Sequence, residues 1–348
     1  LNGKPFTHLF LSDPVTIEYL SGFCASNAFC LLSRRANVLF SDFRYKEAAA
    51  AFCRKNREWF FVEIKENDFS FLGRRIPASS TVGYQSGVMT VDQFRNMRRW
   101  CGKVRFVKLP PSFEDLFIPR LAREIRFMTE AARIGDRAFG RLLRRVRTGM
   151  TEKQVAALLE TYCRENGSEK SSFDTIVLFG SRSALPHGRP SNIRLKRGDF
   201  VLCDFGCTVD GLASDMTRTF VMGKASGRQR DIYAVVQKAQ QDAVLTVTEG
   251  VMACEVDRRA RDVISSAGYG RYFGHATGHG IGRRVHEKPR ISRTDKTILH
   301  KNTVITVEPG IYIPGFGGVR IEDMVVVTQR GSRLMTSSPR HLIEVKAG

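Results

Sequence analysis

The stretch VLCDFGCTVDGLASDMTRTF, residues 201–220, has the composition of two strands joined by a tight turn at Asp210–Gly211. It nevertheless places one carboxylate, Asp204, in the middle of an apolar run and a second, Asp215, beyond the turn. Burying an unpaired carboxylate costs several kcal/mol or forces the group to neutralise. A core-like hairpin that carries two acids therefore needs something to compensate them.

Strand geometry says where the acids point. A turn with an even number of residues puts Asp204 and Asp215 on the same face of the hairpin, opposite or diagonal to each other. The segments TVITVEPGIYI and GVRIEDMVVV form a second hairpin, and an odd loop around Gly315 sets Glu308 opposite Glu322. Four carboxylates then project from two hairpins, and if the hairpins meet, their mutual repulsion demands a cation. The histidine to complete such a site stands in FGHATGHGIGRRVHEKPRI, residues 273–291. His275 and His279 are four apart, but Gly274, Gly278, Gly280 and Gly282 argue against a helix and for a loop or irregular strand that presents imidazoles to a cavity. His286 follows, and His187 stands alone in ALPHGRP.

Global composition is compatible with such a site. The chain has 348 residues, enough for two domains, and its 42% hydrophobic and 26% charged content is that of an ordinary globular protein. The net charge of +20 arises from 55 Lys and Arg against 35 Asp and Glu. The arginines are scattered, and the densest patch, RLLRRVR at 141–147, has the spacing of a solvated helix face, so no nucleic-acid partner is expected. The eight cysteines show no CxxC pair and read as reduced thiols; Cys203 and Cys207 share a face as core packing. No apolar run has the length to span a bilayer and no charged segment with an apolar stretch opens the chain, so no membrane association and a cytoplasmic location are expected.

The first third alternates strand and helix. HLFL, AFCLL and NVLFS read as strands, RYKEAAAAFCRKN as a helix, WFFVEI as a strand and VDQFRNMRRW as a helix, which together make a small α/β domain. It closes in KVRFVKLPPSFEDLF, where Pro110 and Pro111 punctuate a linker. The expected organisation is an α/β domain over 1–110, a linker over 111–120 and a larger domain over 121–348. In the larger part, Leu121, Ile125 and Met128 mark one face of a long helix. Thr151 with Gln154 forms a capping box for the next helix, which stops at Asn166–Gly167. A second helical pair, within RDIYAVVQKAQQDAVLTV and EVDRRARDVISSAG, follows the first hairpin, so the order of two helices and then strands occurs twice.

Taken together, SFDTIVLFGSRSALPHGRP, GDFVLCDFGCTVDGLASDMTRTF, GHATGHGIGRRVHEKPRIS, NTVITVEPGIY and GVRIEDMVVV resemble the signature of the pita-bread metallopeptidase family, which includes methionine aminopeptidase, prolidase and aminopeptidase P. TIEYLSGFCASNAFCLL and LFSDFRY resemble the N-terminal domain of the prolidase branch. The implied fold is α+β, a C-terminal pita-bread (creatinase/aminopeptidase) domain with a smaller creatinase N-terminal-like α/β domain. The resemblance implies that Asp204, Asp215, His279, Glu308 and Glu322 hold two divalent ions. Asp215 and Glu322 would bridge the pair, Asp204 would complete one ion, and His279 with Glu308 the other. Relatives that have become binding modules, or that hydrolyse without metal, have lost ligands; here all five positions match.

Four carboxylates and one imidazole suit Mn(II), while Co(II) or Zn(II) also fit. By resemblance, Glu308 shuttles the proton of the attacking water, and His187 and His286 stabilise the oxyanion or donate to the leaving nitrogen. Arg320 braces a ligand. His275 and HEKPR resemble the proline-specific branch, with Arg290 as a clamp for the carboxylate of a C-terminal proline. The implied partners are proline-containing dipeptides, or longer peptides for an aminopeptidase P activity, and a second copy of the chain in a homodimer.

Overall fold

The computed structural model describes residues 6–65, 69–110 and 112–346. The chain forms two compact units that divide between Phe113 and Glu114.

The first unit contains β1 (His8–Leu11), α1 (Pro14–Ser21), β2 (Ala28–Ser33), β3 (Asn37–Ser41), α2 (Lys46–Lys55), β4 (Trp59–Glu63), α3 (Ser70–Gly73), β5 (Thr81–Tyr84), α4 (Val91–Cys101) and β6 (Arg105–Lys108). One mixed sheet has the order β4-β3-β2-β1-β5-β6, with β1, β2 and β3 antiparallel and parallel pairs at both sides. Its central strands carry continuous apolar runs, Leu9–Leu11, Ala28–Leu32 and Val38–Phe40, because both faces are covered. Phe10, Phe29, Leu31 and Phe40 fill one core, and Leu9, Leu11, Cys30 and Leu39 the other. The segment read as the domain's closing linker holds strand β6 and a short helix, α5 (Ser112–Asp115), which straddles the division. Pro111 lies outside the described residues.

The second unit begins with α6 (Ala122–Leu143) and α7 (Glu152–Glu165), then β7 (Ile176–Phe179), β8 (Phe200–Phe205), β9 (Thr208–Val209), β10 (Leu212–Ala213) and β11 (Met216–Met222). The pattern repeats with α8 (Gly227–Thr246), α9 (Ala253–Ser266), β12 (Gly278–Gly280), β13 (Glu287–Ile291), β14 (Val304–Val307), β15 (Gly310–Ile313), β16 (Gly317–Arg320), β17 (Asp323–Thr328), β18 (Gly331–Leu334) and β19 (Glu344–Val345). Each helix pair covers the apolar face of its strands: α6 and α7 pack on Val177, Val201, Cys203 and Phe220, while α8 and α9 pack on Ile305, Val307, Val325 and Val327. The buried stripe of α6 starts at Met128 and continues through Ala131, Ala138 and Leu142. Leu121, expected on that stripe, is instead the exposed residue that precedes the helix. The capping box of Thr151 and Gln154 is formed in both directions, at 3.1 and 2.9 Å. Among the described residues no helix is long and apolar enough to cross a membrane, and the cysteines are thiols, not disulfides.

Each hairpin keeps one register across a break in its ladder, and Asp215, Glu308 and Glu322 sit at these breaks. In the first, β8 pairs with β11 so that Thr217 faces Asp204, and β9 pairs with β10 so that Val209 faces Leu212 across the turn. Asp215 sits in the gap between these ladders, diagonal to Asp204. In the second, β14 pairs with β17 through Val307 and Asp323, and β15 with β16 through Gly310 and Arg320. The same register sets Glu308 and Glu322 against each other in the unpaired gap. At such a break the backbone releases its ladder bonds, and the side chains turn into the space between the two hairpins.

Candidate metal centre

The five residues that the sequence singles out as ligands line one cavity of about 440 Å³, walled also by Phe173, Ile176, Pro186 and Val285. Asp215, His279 and Glu322 each offer a ligand atom, and these atoms lie within 4.8 Å of one another. His279 Nε2 is 3.6 Å from Asp215 Oδ2 and 3.5 Å from Glu308 Oε1. Glu322 accepts from Thr217 Oγ1 at 2.7 Å through one oxygen, and Asp204 accepts from Arg320 Nη2 at 2.5 Å. Their other oxygens, Glu322 Oε1 and Asp204 Oδ1, and also Asp215 Oδ1, are buried with no hydrogen-bond partner among the described residues. Buried acceptors are satisfied almost everywhere in folded proteins, so three orphaned carboxylate oxygens in one cavity call for a cation.

The electrostatics agree. Burial, reinforced by the neighbouring acids, holds Asp215 and Glu322 well above the usual carboxylate range. Burial pushes Glu308 up to about 7. Burial also lowers His279 to about 4, so the imidazole is neutral. Its Nδ1 lies 3.0 Å from the carbonyl of Gly280 and, since a carbonyl only accepts, carries the proton. Nε2 therefore turns a lone pair towards two carboxylates, which is repulsive unless a proton or a metal cation lies between them. The donor set, four carboxylates and a neutral imidazole, fits divalent ions.

Local backbone explains why His279 reaches this position. It lies on β12, a three-residue strand with a bulge between His279 and Gly280. A Cβ at Gly278 would lie 2.0 Å from the Thr306 carbonyl oxygen, and one at Gly280 would lie 2.0 Å from that of Lys288. The glycines let β12 wedge between β13 and β14, so this is an irregular strand and not a helix. From behind, Asp257 on α9 is fully buried and accepts from the Thr277 backbone at 3.1 Å and its hydroxyl at 2.8 Å. Arg261, paired with Asp257 at 2.6 Å, also donates to the carbonyl of His275. On the other hairpin, Asp323 beside Glu322 is ringed by Arg218, Arg340, Thr336 and Gln240.

The remaining sequence-predicted residues all border the cavity. His187 and Arg290 are exposed on its wall, Arg290 in register with His279 across β12 and β13. The His286 ring lies 4.4 Å from that of His279. Both nitrogens of His275 are engaged, with the Ala276 carbonyl at 2.7 Å and the Tyr312 hydroxyl at 2.8 Å. Arg320 is buried and donates to Asp204, to Thr217 Oγ1 at 3.0 Å and to Tyr312 at 2.9 Å. Tyr312 and Thr217 escaped the sequence reading. Strand alternation carries the signal for both: Tyr312 shares a face with Gly310, two residues along, and Thr217 lies two residues from Asp215.

Comparison with known proteins places this architecture. Residues 126–329 match the model of metallopeptidase family M24, and residues 4–116 match the creatinase/prolidase N-terminal domain. A protein named Xaa-Pro dipeptidase from Pyrococcus furiosus is 36% identical over 337 residues, 96% of this chain and 94% of that one. Among solved structures, an Xaa-Pro dipeptidase from Bacillus anthracis superposes with a TM-score of 0.92 at 35% identity, covering 97% of this chain and 95% of the other. An X-Pro aminopeptidase from Thermotoga maritima does so with 0.90 at 33%, covering 98% and 96%. With that match over more than half its length and a carboxylate–imidazole cluster suited to divalent cations, the chain belongs to metallopeptidase family M24 and is a metallopeptidase.

Proposed function

We propose that this enzyme is an Xaa-Pro dipeptidase, which hydrolyses the bond between an N-terminal residue and a C-terminal proline. The observation that carries the reading is the trio of orphaned carboxylate oxygens facing a neutral His279 in one cavity, within a chain that aligns along nearly its whole length with a named Xaa-Pro dipeptidase. Asp204, Asp215, His279, Glu308 and Glu322 would hold two divalent ions. When bound, such ions polarise the scissile carbonyl and make water a nucleophile at neutral pH.

The protein's own groups do the rest. Glu308 is the most open of the four carboxylates in the candidate ligand set, its side chain 18% exposed against 13% for Asp204 and 6% for Asp215. It therefore accepts the proton of the attacking water and returns it towards the leaving nitrogen. His187 and His286, exposed on the wall, donate to the oxygen on which charge develops. Arg320 fixes Asp204, and through its contact with Tyr312 it fixes the wall formed by His275. Arg290 is the clamp for the proline carboxylate, where its planar fork binds bidentately.

A second reading, an aminopeptidase acting on longer peptides, is favoured by one feature. A neighbouring cavity of about 410 Å³ shares Ile176 and His187 with the first and offers room for further residues. The assay that separates the two uses the metal-loaded enzyme on an Xaa-Pro dipeptide and on a longer peptide with proline second. Turnover of only the longer peptide removes the dipeptidase reading, and purified protein that binds no divalent ion removes both. We further assign Mn(II) as the native metal, a homodimer as the working assembly and the cytoplasm as the location, with no nucleic-acid or membrane partner. The division at residues 111–120 into an α/β domain and a catalytic domain belongs to the same proposal. Metal analysis of protein as isolated, light scattering, fractionation, salt-dependent nucleic-acid titration and expression of 121–348 alone test these in turn.

A further inference from the structure

Glu152 is a carboxylate that the ligand set does not use. It stands in the first turn of α7, yet it is fully buried. Its helix needs no help from it, because Thr151 and Gln154 already cap the N-terminus. Its oxygens go elsewhere, to the two ends of a single loop. Oε1 accepts from the Phe179 backbone at 2.9 Å and from Arg182 Nε at 3.0 Å. Oε2 accepts from the Ser191 backbone at 2.8 Å and its hydroxyl at 2.5 Å. Arg182 in turn donates to the Arg189 carbonyl at 2.9 Å, across the base of the loop. Between these ends lies the turn that carries His187. Further tethers are Arg320 Nη1, 3.4 Å from the Pro186 carbonyl, the Gly318 backbone, which donates to Ser183 Oγ at 2.8 Å, and the Lys153 backbone, which donates to the Ser191 carbonyl at 3.2 Å.

We propose that Glu152 is the positioning residue for His187: one buried carboxylate ties both ends of the 180–191 loop together and so fixes where that imidazole stands over the cavity. The His187 side chain is itself exposed, so its placement depends on the loop that bears it. An ionised acceptor bonded to two backbone donors, a guanidinium and a hydroxyl is a stiff anchor. A neutral amide in its place turns a donor towards donors. This proposal rests on the reading of His187 as a group that touches substrate.

A double-mutant cycle on the metal-loaded, full-length enzyme tests it. Glu152→Gln is expected to lower kcat on an Xaa-Pro dipeptide by roughly 10- to 100-fold at unchanged metal content, the size of loss that a misplaced group causes. In the His187→Ala background the same change is expected to cost less than about threefold, because the group it positions is gone. An undiminished loss in that background overturns the proposal, since a purely structural role harms both backgrounds alike. Wild-type kcat in Glu152→Gln also overturns it. If Glu152→Gln does not fold, Ser191→Ala, which removes one bond at the loop's end, carries the same cycle with a smaller loss. Amide exchange gives a readout apart from activity: residues 180–191 are expected to exchange faster in the variant while α7 does not, and unchanged loop exchange sinks the anchor. A loosened loop in a protein whose wild type cleaves no proline peptide supports the anchor and overturns only the reading of the reaction.

Discussion

Replacing Glu308 with Gln should stabilise the metal-free enzyme while disabling the metal-loaded one. In the folded, metal-free chain, burial raises the Glu308 carboxyl from 4.5 to about 7. The folded state thus holds this proton more tightly than the unfolded state does. The group's stabilising contribution is present in full below pH 4.5, is lost as pH rises from 4.5 to 7, and stays lost above it. The resulting deficit at pH 8 is about 3 kcal/mol. Gln removes the ionisation, and its amide can donate to the His279 Nε2 lone pair, which faces Glu308 Oε1 at 3.5 Å. In chelator at pH 8, calorimetry should show the variant's catalytic unit melting roughly 6–12 °C above wild type. At pH 4.5 the two should melt together. Added divalent metal should reverse the order at pH 8, since wild type gains ligand binding that the variant has weakened. A chelated Glu308→Gln that melts with or below wild type at pH 8 would refute the view that these acids are uncompensated charges.

Asp204→Asn should cost one metal equivalent by elemental analysis and more than about hundredfold in kcat, while the fold, read by circular dichroism, persists. Arg290→Ala should raise KM for an Xaa-Pro dipeptide by about tenfold or more, the value of a charged hydrogen-bonded pair, and leave a longer peptide nearly unchanged; equal loss on both removes the clamp. Gly278→Ala drives a Cβ to 2.0 Å from the Thr306 carbonyl oxygen. Overpacking of this kind costs about 1–3 kcal/mol or more, so a melting temperature equal to wild type would contradict the packing of β12.

The sequence made the ligand cluster legible because period-two geometry is local. Once a turn length is known, the face on which Asp204, Asp215, Glu308 and Glu322 stand follows from counting, and both hairpins keep the counted register across the gaps where Asp215, Glu308 and Glu322 sit. The glycines around His279 gave its irregular strand for the same reason. In the first unit, α1, α3, β5 and β6 went unread: each is four to eight residues long, and none carries an unbroken apolar run like that of β1 to mark it. The anchors were illegible for a different reason. Glu152 with Ser191, Asp257 with Thr277 and Arg218 with Asp323 join residues far apart in the chain, and no spacing rule connects them.

Those anchors give the strong positive charge a second meaning. A net charge of +20 is of the kind that an anionic partner attracts, although the scatter of the arginines along the sequence spoke against one. Several of the arginines are instead internal. Arg218 is 1% exposed and lies between Asp323 and the carbonyls of Thr217, Glu322 and Ser338. Arg320 and Arg120 are 3% exposed, paired with Asp204 and Glu287. Arg261 and Arg182 bind the fully buried Asp257 and Glu152. A site that concentrates carboxylates around a cavity repels itself, and bound cations relieve only the acids that face them. The acids one layer behind need fixed counter-charges that do not exchange with solvent, and guanidinium provides them while its several donors also hold the backbone. Removing Arg261 or Arg182 leaves a fully buried carboxylate without its counter-charge, which costs about 3–5 kcal/mol, whereas removing an exposed Arg such as Arg34 alters stability by no more than about 0.5 kcal/mol. The stability of the metal-free chain should therefore divide its arginines into two populations by burial, a division that net charge alone does not contain.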